Sequence, residues 1–344
     1  MRAAVVRDFN ADLSIETVDD PACPTNGVVL NVASCGVCRS DFHGWTGGHP
    51  KVVDGSIMGH EYCGTVVEAG PQAQYKIGDK VIAPFILGCG SCAACHTGLS
   101  NTCANQIVPG FGAPGAYAEY VAVPFDHNLV HLPETLSPAL AAGLGCRVTT
   151  AWHALTDRAQ VRAGEWVAVH GTGGIGLSVL LLAKMLGAQV VVVDIVDEKL
   201  EHAKAHGADA TVNAAKVDAA EAIRDITGGG AQVSVEALGI ATTTNASVDC
   251  LAILGRHVHV GMPSGDGMMN INMRAIYTKQ LSFYGTRGMP SWKYPTLLGM
   301  IERGDVDISP MVAREVALSD ASAELRAMKG PTAPGTAVIT NFQG

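Results

Sequence analysis

The sequence predicts an α/β protein in two parts: a β-rich first part, then a doubly wound parallel sheet with helices between its strands. Three observations carry this. Short alternating runs such as Val28 to Val32 and Gly64 to Val67, cut by Gly, Pro and Asp, fill the chain to about Ile82 and read as irregular antiparallel sheet. After Gly164, strand-like and helix-like runs alternate, the pattern of a parallel sheet. The length of 344 residues allows two cores of ordinary size, with a site between them.

In order, the texture becomes Ala- and Leu-rich and helical from Leu136. Then come a strand at Trp166 to His170, a helix at Ile175 to Leu186, a strand at Gln189 to Asp194 and a helix at Asp197 to His206. Further apolar runs at Val233 to Glu236, His257 to Val260 and Leu281 to Tyr284 bring this half to about six strands, the size of a dinucleotide-binding domain. The segment from about Gly288 is too short to stand alone and is expected to pack back on the first part.

Composition narrows the partners. A hydrophobic fraction of 48% with 16% charged residues fits a packed chain. The net charge of -9 argues against nucleic acid and anionic membrane, both of which call for clustered Lys and Arg. A small molecule is the expected partner. The opening MRAAVVRDFN lacks the apolar core of a signal peptide, so a cytoplasmic protein is expected. The apolar stretch from Ile175 to Val193 is broken by Lys184 and Gly187 and reads as helix then strand, not as a membrane span. In that setting ten cysteines point to metal rather than disulfides.

Gly171-Thr172-Gly173-Gly174-Ile175-Gly176 follows the strand WVAVH and opens a helix, the context a dinucleotide-binding turn requires. Glycines let the backbone approach a pyrophosphate, whose charge meets the free amides at the helix start. The next strand ends in Asp194, 18 residues after Gly176, where a carboxylate can accept ribose hydroxyls and repel a 2′-phosphate. NAD is therefore expected over NADP, with Lys199 as a nearby cation that could soften the choice.

Cys89, Cys92, Cys95 and Cys103 lie in one loop-rich segment, residues 88–104. Four thiolates make a closed tetrahedral zinc site with no open position, which reads as structural. An iron-sulfur cluster or free thiols are the alternatives. A second, dispersed set comprises Cys38 in CGVCRSD, His60 in MGHEY and Cys146 in GLGCRVTT. Its ligand types suit a catalytic zinc with one open position; taken singly, Cys146 reads more often as a small buried hydrophobe and His60 as a satisfied polar residue in a turn.

CGVCRSDFH, GHE, the four-cysteine loop and GTGGIG followed by Asp194, in this order, resemble the zinc-containing medium-chain alcohol dehydrogenases over essentially the whole chain. The resemblance implies a GroES-like catalytic domain at 1–147, a Rossmann coenzyme domain at 148–287, and a return to the catalytic domain at 288–344. It implies two zinc ions per chain: a catalytic one on Cys38, His60 and Cys146 with Glu61 beside it, and a structural one on Cys89, Cys92, Cys95 and Cys103. Ser40 resembles the hydroxyl that bonds the substrate oxygen, and His43 the histidine that ends a proton relay; a solvated loop histidine is the alternative for His43. Arg39 resembles a pyrophosphate contact, Thr150 a residue beside the nicotinamide, and Val260 a further coenzyme contact. Phe85 resembles a pocket wall, and Trp45 has two readings, a pocket wall or a packing residue.

Where many relatives carry an arginine near the C-terminus, this chain has Thr336, which implies either weaker coenzyme binding or another cation in its place. The implied reaction interconverts alcohols with aldehydes or ketones. A polyol or formaldehyde-type dehydrogenase and a non-catalytic structural relative are the rivals, and a tetramer or dimer is the implied assembly.

Overall fold

The computed structural model describes every residue except Ser264, Asp266, Pro331, Thr332 and Gly344. Two larger sheets organise it. The first is mainly antiparallel and centres on Val28–Gly36, flanked by Tyr62–Ala69 and by Tyr120–Val123. The alternation noted at Val28 to Val32 belongs to this central strand. The last strand of the chain, Thr336–Asn341, pairs antiparallel with the far end of the same strand, Val338 opposite Gly36 and Ile339 opposite Cys35. Buried side chains on both, such as Val28, Leu30, Ala337 and Ile339, share one core.

The second sheet is parallel throughout, six strands in the spatial order Ala210–Asn213, Gln189–Asp194, Trp166–His170, Ala231–Glu236, Leu251–His259, Ser282–Gly285. In chain order this runs third, second, first, fourth, fifth, sixth: the Rossmann arrangement, whose strand order reverses beside the first strand. Val190 to Val193 and Val167 to Val169 are buried, the near-continuous apolar run expected of strands covered on both faces. The short edge strand Ala210–Asn213 has too little apolar sequence to announce itself. Leu251–His259 starts earlier than its apolar run because Leu254, at φ 62, breaks the pattern in mid-strand, where the register also shifts.

The helix Gly174–Met185 starts where the strand Trp166–His170 has turned through Gly171. A Cβ placed on Gly176 would run into the Gly171 carbonyl oxygen, so this turn closes only without a side chain there. Among the described residues no helix is long and apolar enough to cross a membrane.

Gly176→Ala should therefore cost at least about 1–3 kcal/mol, the scale of overpacking in an unyielding site. A thermal unfolding midpoint equal to that of the parent chain would contradict this account of the turn.

Candidate active site

Sheet register builds the site from below. Cys35 pairs with Tyr62 and the Gly36 amide donates to the Glu61 carbonyl at 2.8 Å, so the segments just beyond, Val37-Cys38 and Gly59-His60-Glu61, emerge side by side. Cys38 caps the helix Arg39–Trp45. Helical spacing then divides that helix: Asp41, Gly44 and Trp45 are buried, while Ser40 and His43, three apart, line a cleft. The third segment is the short turn Gly143–Gly145, pinned where the Phe85 amide donates to the Gly145 carbonyl at 3.0 Å. It delivers Cys146 to the start of the helix Arg147–His153.

One potential ligand atom each from Cys38, His60, Glu61 and Cys146 lie within 4.8 Å of one another, all four residues buried. His60 identifies the purpose. Its Nδ1 lies 3.0 Å from Asp41 Oδ1, whereas its Nε2 is buried without a partner. A carboxylate behind an imidazole fixes the ring and leaves the other nitrogen free to ligate, the usual support for a metal-binding histidine. Asp41 also accepts from the Cys38 amide at 2.9 Å, so one carboxylate orients two ligands. Interaction between the two neighbouring thiols holds Cys38 well below and pushes Cys146 well above the usual thiol range. Two thiols and a free imidazole nitrogen fit a catalytic zinc with an open position. Burial pushes the Glu61 carboxyl up to about 8 against the pull of the Arg147 guanidinium, which bonds its Oε2. Its Oε1 is unpartnered.

Ligand atoms of Cys89, Cys92, Cys95 and Cys103 also lie within 4.8 Å of one another. Cys92 Sγ is 3.6 Å from Cys95 Sγ and 3.7 Å from Cys103 Sγ. A tetrahedron with Zn–S of about 2.3 Å has edges of about 3.8 Å, so these spacings fit a single ion. They are too close for thiolates spread around a multi-iron cluster and too long for a disulfide, where sulfurs stand about 2 Å apart.

The cleft encloses about 830 Å³ and runs from the catalytic ligands to the parallel sheet. Phe85 and Phe111 stand edge-on to the His60 ring, at 5.8 and 5.3 Å between centroids. Thr150, one turn after Cys146, accepts from the Gly288 amide at 3.2 Å. Arg39, Thr150, Ile175 and Val260 all line the cleft. Trp45 does not. Its indole is fully buried and donates to the Ala11 carbonyl at 2.6 Å, so the reading of Trp45 as a pocket wall is corrected to packing.

At the glycine turn, Gly173 caps its helix with no side-chain hydrogen bond and a Cβ there would meet nothing within 4 Å. This leaves open space in front of the first amides, where an anion fits. Asp194 sits at the end of its strand, taking the Thr172 amide at 2.9 Å on one oxygen and the Ile195 amide at 2.8 Å on the other. Lys199 is half-buried on the following helix. Thr336, which stands where the resemblance implies an arginine, accepts from the guanidinium of Arg147. Sequence reasoning missed Asp41, Phe111 and Arg147. Of these only Asp41 left a trace, as the third residue of the helix that Cys38 caps.

Comparison with known proteins agrees with this geometry. Residues 24–134 match the alcohol dehydrogenase GroES-like domain, and residues 174–303 match the zinc-binding dehydrogenase domain. An alcohol dehydrogenase of Geobacillus stearothermophilus is 37% identical over 272 residues, 77% of this chain and 78% of that one. The chain belongs to the zinc-containing medium-chain dehydrogenases. An NAD-dependent alcohol dehydrogenase superposes with a TM-score of 0.91 at 28% identity, covering 99% of this chain and 100% of that one. A zinc-binding dehydrogenase of Sinorhizobium meliloti 1021 bound to NADP superposes at 0.88 and 27% identity, covering 98% of each. This dehydrogenase is thus an oxidoreductase of the alcohol dehydrogenase type.

Because Asp41 holds His60 in place, Asp41→Ala should weaken retention of the catalytic metal by about 10- to 100-fold. Metal analysis after dialysis against graded chelator reads this; unchanged retention would remove Asp41 from the support of the site.

Proposed function

We propose that this dehydrogenase oxidises alcohols to aldehydes or ketones, and reduces them back, with NAD as coenzyme. The observation that carries the proposal is the free His60 Nε2 converging with two thiols at one end of a cleft that Ile175 of the glycine turn also lines. Bound at Cys38, His60 and Cys146, zinc would supply a Lewis acid that lets an alcohol lose its proton near neutral pH. Redox-inert zinc leaves the hydride to the nicotinamide coenzyme. The chain's own residues orient the substrate and move the proton. Ser40 Oγ lies 3.8 Å from Cys38 Sγ, placed to accept the alcohol proton, and His43 one helical turn on is the next acceptor toward solvent. Phe85 and Phe111 offer the carbon chain an apolar seat.

NAD is favoured over NADP because the Asp194 carboxylate would repel a 2′-phosphate. Its two oxygens take the Thr172, Ile195 and Val196 amides and the Thr172 hydroxyl, about the four bonds a carboxylate accepts, so a ribose hydroxyl would displace the rotatable Thr172 hydroxyl.

The direct test mixes the protein with NAD or NADP and a panel of primary, secondary, benzylic and polyol alcohols, and follows the reduced coenzyme with and without a chelator. Chelator-sensitive reduction of NAD supports the reading; silence across the panel with zinc bound sinks it.

Proton transfer gives a pH signature. Burial, then the neighbouring Arg39, hold the His43 ring below its ordinary value, about 6.5 for a free imidazole. Neutral His43 is the form that accepts, so the acid limb of alcohol oxidation should fall below that value. His43→Gln should retain zinc but lose about 100-fold in rate at neutral pH, the low end of what a positioned base contributes, with recovery toward alkaline pH. An unchanged profile would exclude His43 from the relay.

A further inference from the structure

Arg147 follows the ligand Cys146 and is 4% exposed, a burial that a guanidinium tolerates only when its donors are met. Two of its three nitrogens have partners. One terminal nitrogen bonds Glu61 Oε2 and the other the Thr336 hydroxyl. The third nitrogen, Nε, is buried with no partner. A Cβ at Gly174 would strike Arg147 Cδ and come within 3.4 Å of Nε, so the stem of Arg147 lies against the first residue of the helix that the glycine turn opens. A Cβ at Gly36 would run into both Glu61 Oε2 and the Arg147 guanidinium. Two glycines on separate elements therefore leave room for this one side chain. Arg147 also lines the cleft, and its helix packs on the helix Gly174–Met185.

We propose that Arg147 is a positioning residue shared by the two halves of the site, one that meets the coenzyme pyrophosphate with its free donor while its fork holds Glu61 beside the catalytic ligands. This rests on the dehydrogenase reading and adds to it a cation supplied from the ligand-bearing helix. Helix amides and a guanidinium then converge on the same anion, and a charge-assisted bond of this kind is among the stronger ones available. Thr336 takes a partnering role on the C-terminal strand, accepting a hydrogen bond where a second cation would be repelled by Arg147.

Removing Arg147 alone strands the buried Glu61 carboxylate, so the test uses two variants: Arg147→Met, and Arg147→Met with Glu61→Gln. Binding of ADP-ribose and of adenosine is measured by calorimetry on zinc-loaded protein. Both variants should bind ADP-ribose about 10- to 100-fold more weakly than the parent chain, the range for loss of a hydrogen bond to a charged group. Adenosine, which has no pyrophosphate, should bind them as it binds the parent. Unchanged ADP-ribose affinity in the double variant, with zinc retained and the parent chain binding normally, overturns the proposal. Equal losses for ADP-ribose and adenosine also overturn it, because they mark a merely structural role. A parent chain that binds no ADP-ribose overturns the dehydrogenase reading itself.

Discussion

Cys38, Asp41, His60, Glu61 and Cys146 are all buried around one point. Each ionised group taken there alone would be costly, because desolvation is recovered only by pairing or coordination. With both thiols ionised, negative charge gathers beside the guanidinium of Arg147, while burial pushes the Glu61 carboxyl toward its neutral form. Such a set is stable around a divalent cation and unstable without compensation, so metal binding and local folding are one equilibrium here. The surrounding elements answer to this demand. The register of Val28–Gly36 against Tyr62–Ala69 sets two ligands side by side, and the C-terminal strand closes the far end of the same sheet with Thr336 under the guanidinium.

The helix Arg147–His153 ties that cluster to the coenzyme half. Cys146, Thr150, His153 and Asp157 follow at intervals of four, three and four, so one face of helix and turn lines the cleft. Its last turn widens into a π segment, Ala154–Arg158, which brings Asp157 Oδ2 to 2.8 Å from His153 Nδ1 and leaves its other oxygen to Lys293. Wide turns of this kind recur at functional sites. A displacement of this helix would move the ligand Cys146, the Thr150 beside the cleft and the Arg147 contact to the glycine turn together.

Legibility in the sequence tracked how local each demand is. The glycine turn was legible because the Gly171–Gly176 approach is a backbone constraint read within six residues. Likewise the four-cysteine loop needs little more than its own spacing. Cys38 and His60 converge through sheet pairing and Cys146 joins them from a turn more than a hundred residues after Cys38, and only resemblance to a family joined them. Asp41 and Arg147 were missed because their work is to partner other side chains, and which partner a residue meets is set by tertiary contact. Trp45 shows the reverse: an aromatic near a ligand suggested the pocket, but it falls on the same helical face as Asp41, which turns inward. The edge strand Ala210–Asn213 is too short and too mixed for a periodic signal.

Charge divides the cleft by task. Arg39, Arg147, Arg158, Arg287 and Lys293 line it, while Asp157 is its acid among the described residues and is already bonded to His153 and Lys293. In a chain of net charge -9 this concentrates positive potential in a concave space, where field lines focus and anions are drawn in. A pyrophosphate gains from that field; an uncharged alcohol does not. Substrate selection must then fall to the apolar walls beside His60, Phe85 and Phe111. An added or missing methylene there changes binding by only about 1–3 kcal/mol. On the proposed reading, such a cleft draws in a dinucleotide through its charge and separates alcohols of similar shape only weakly.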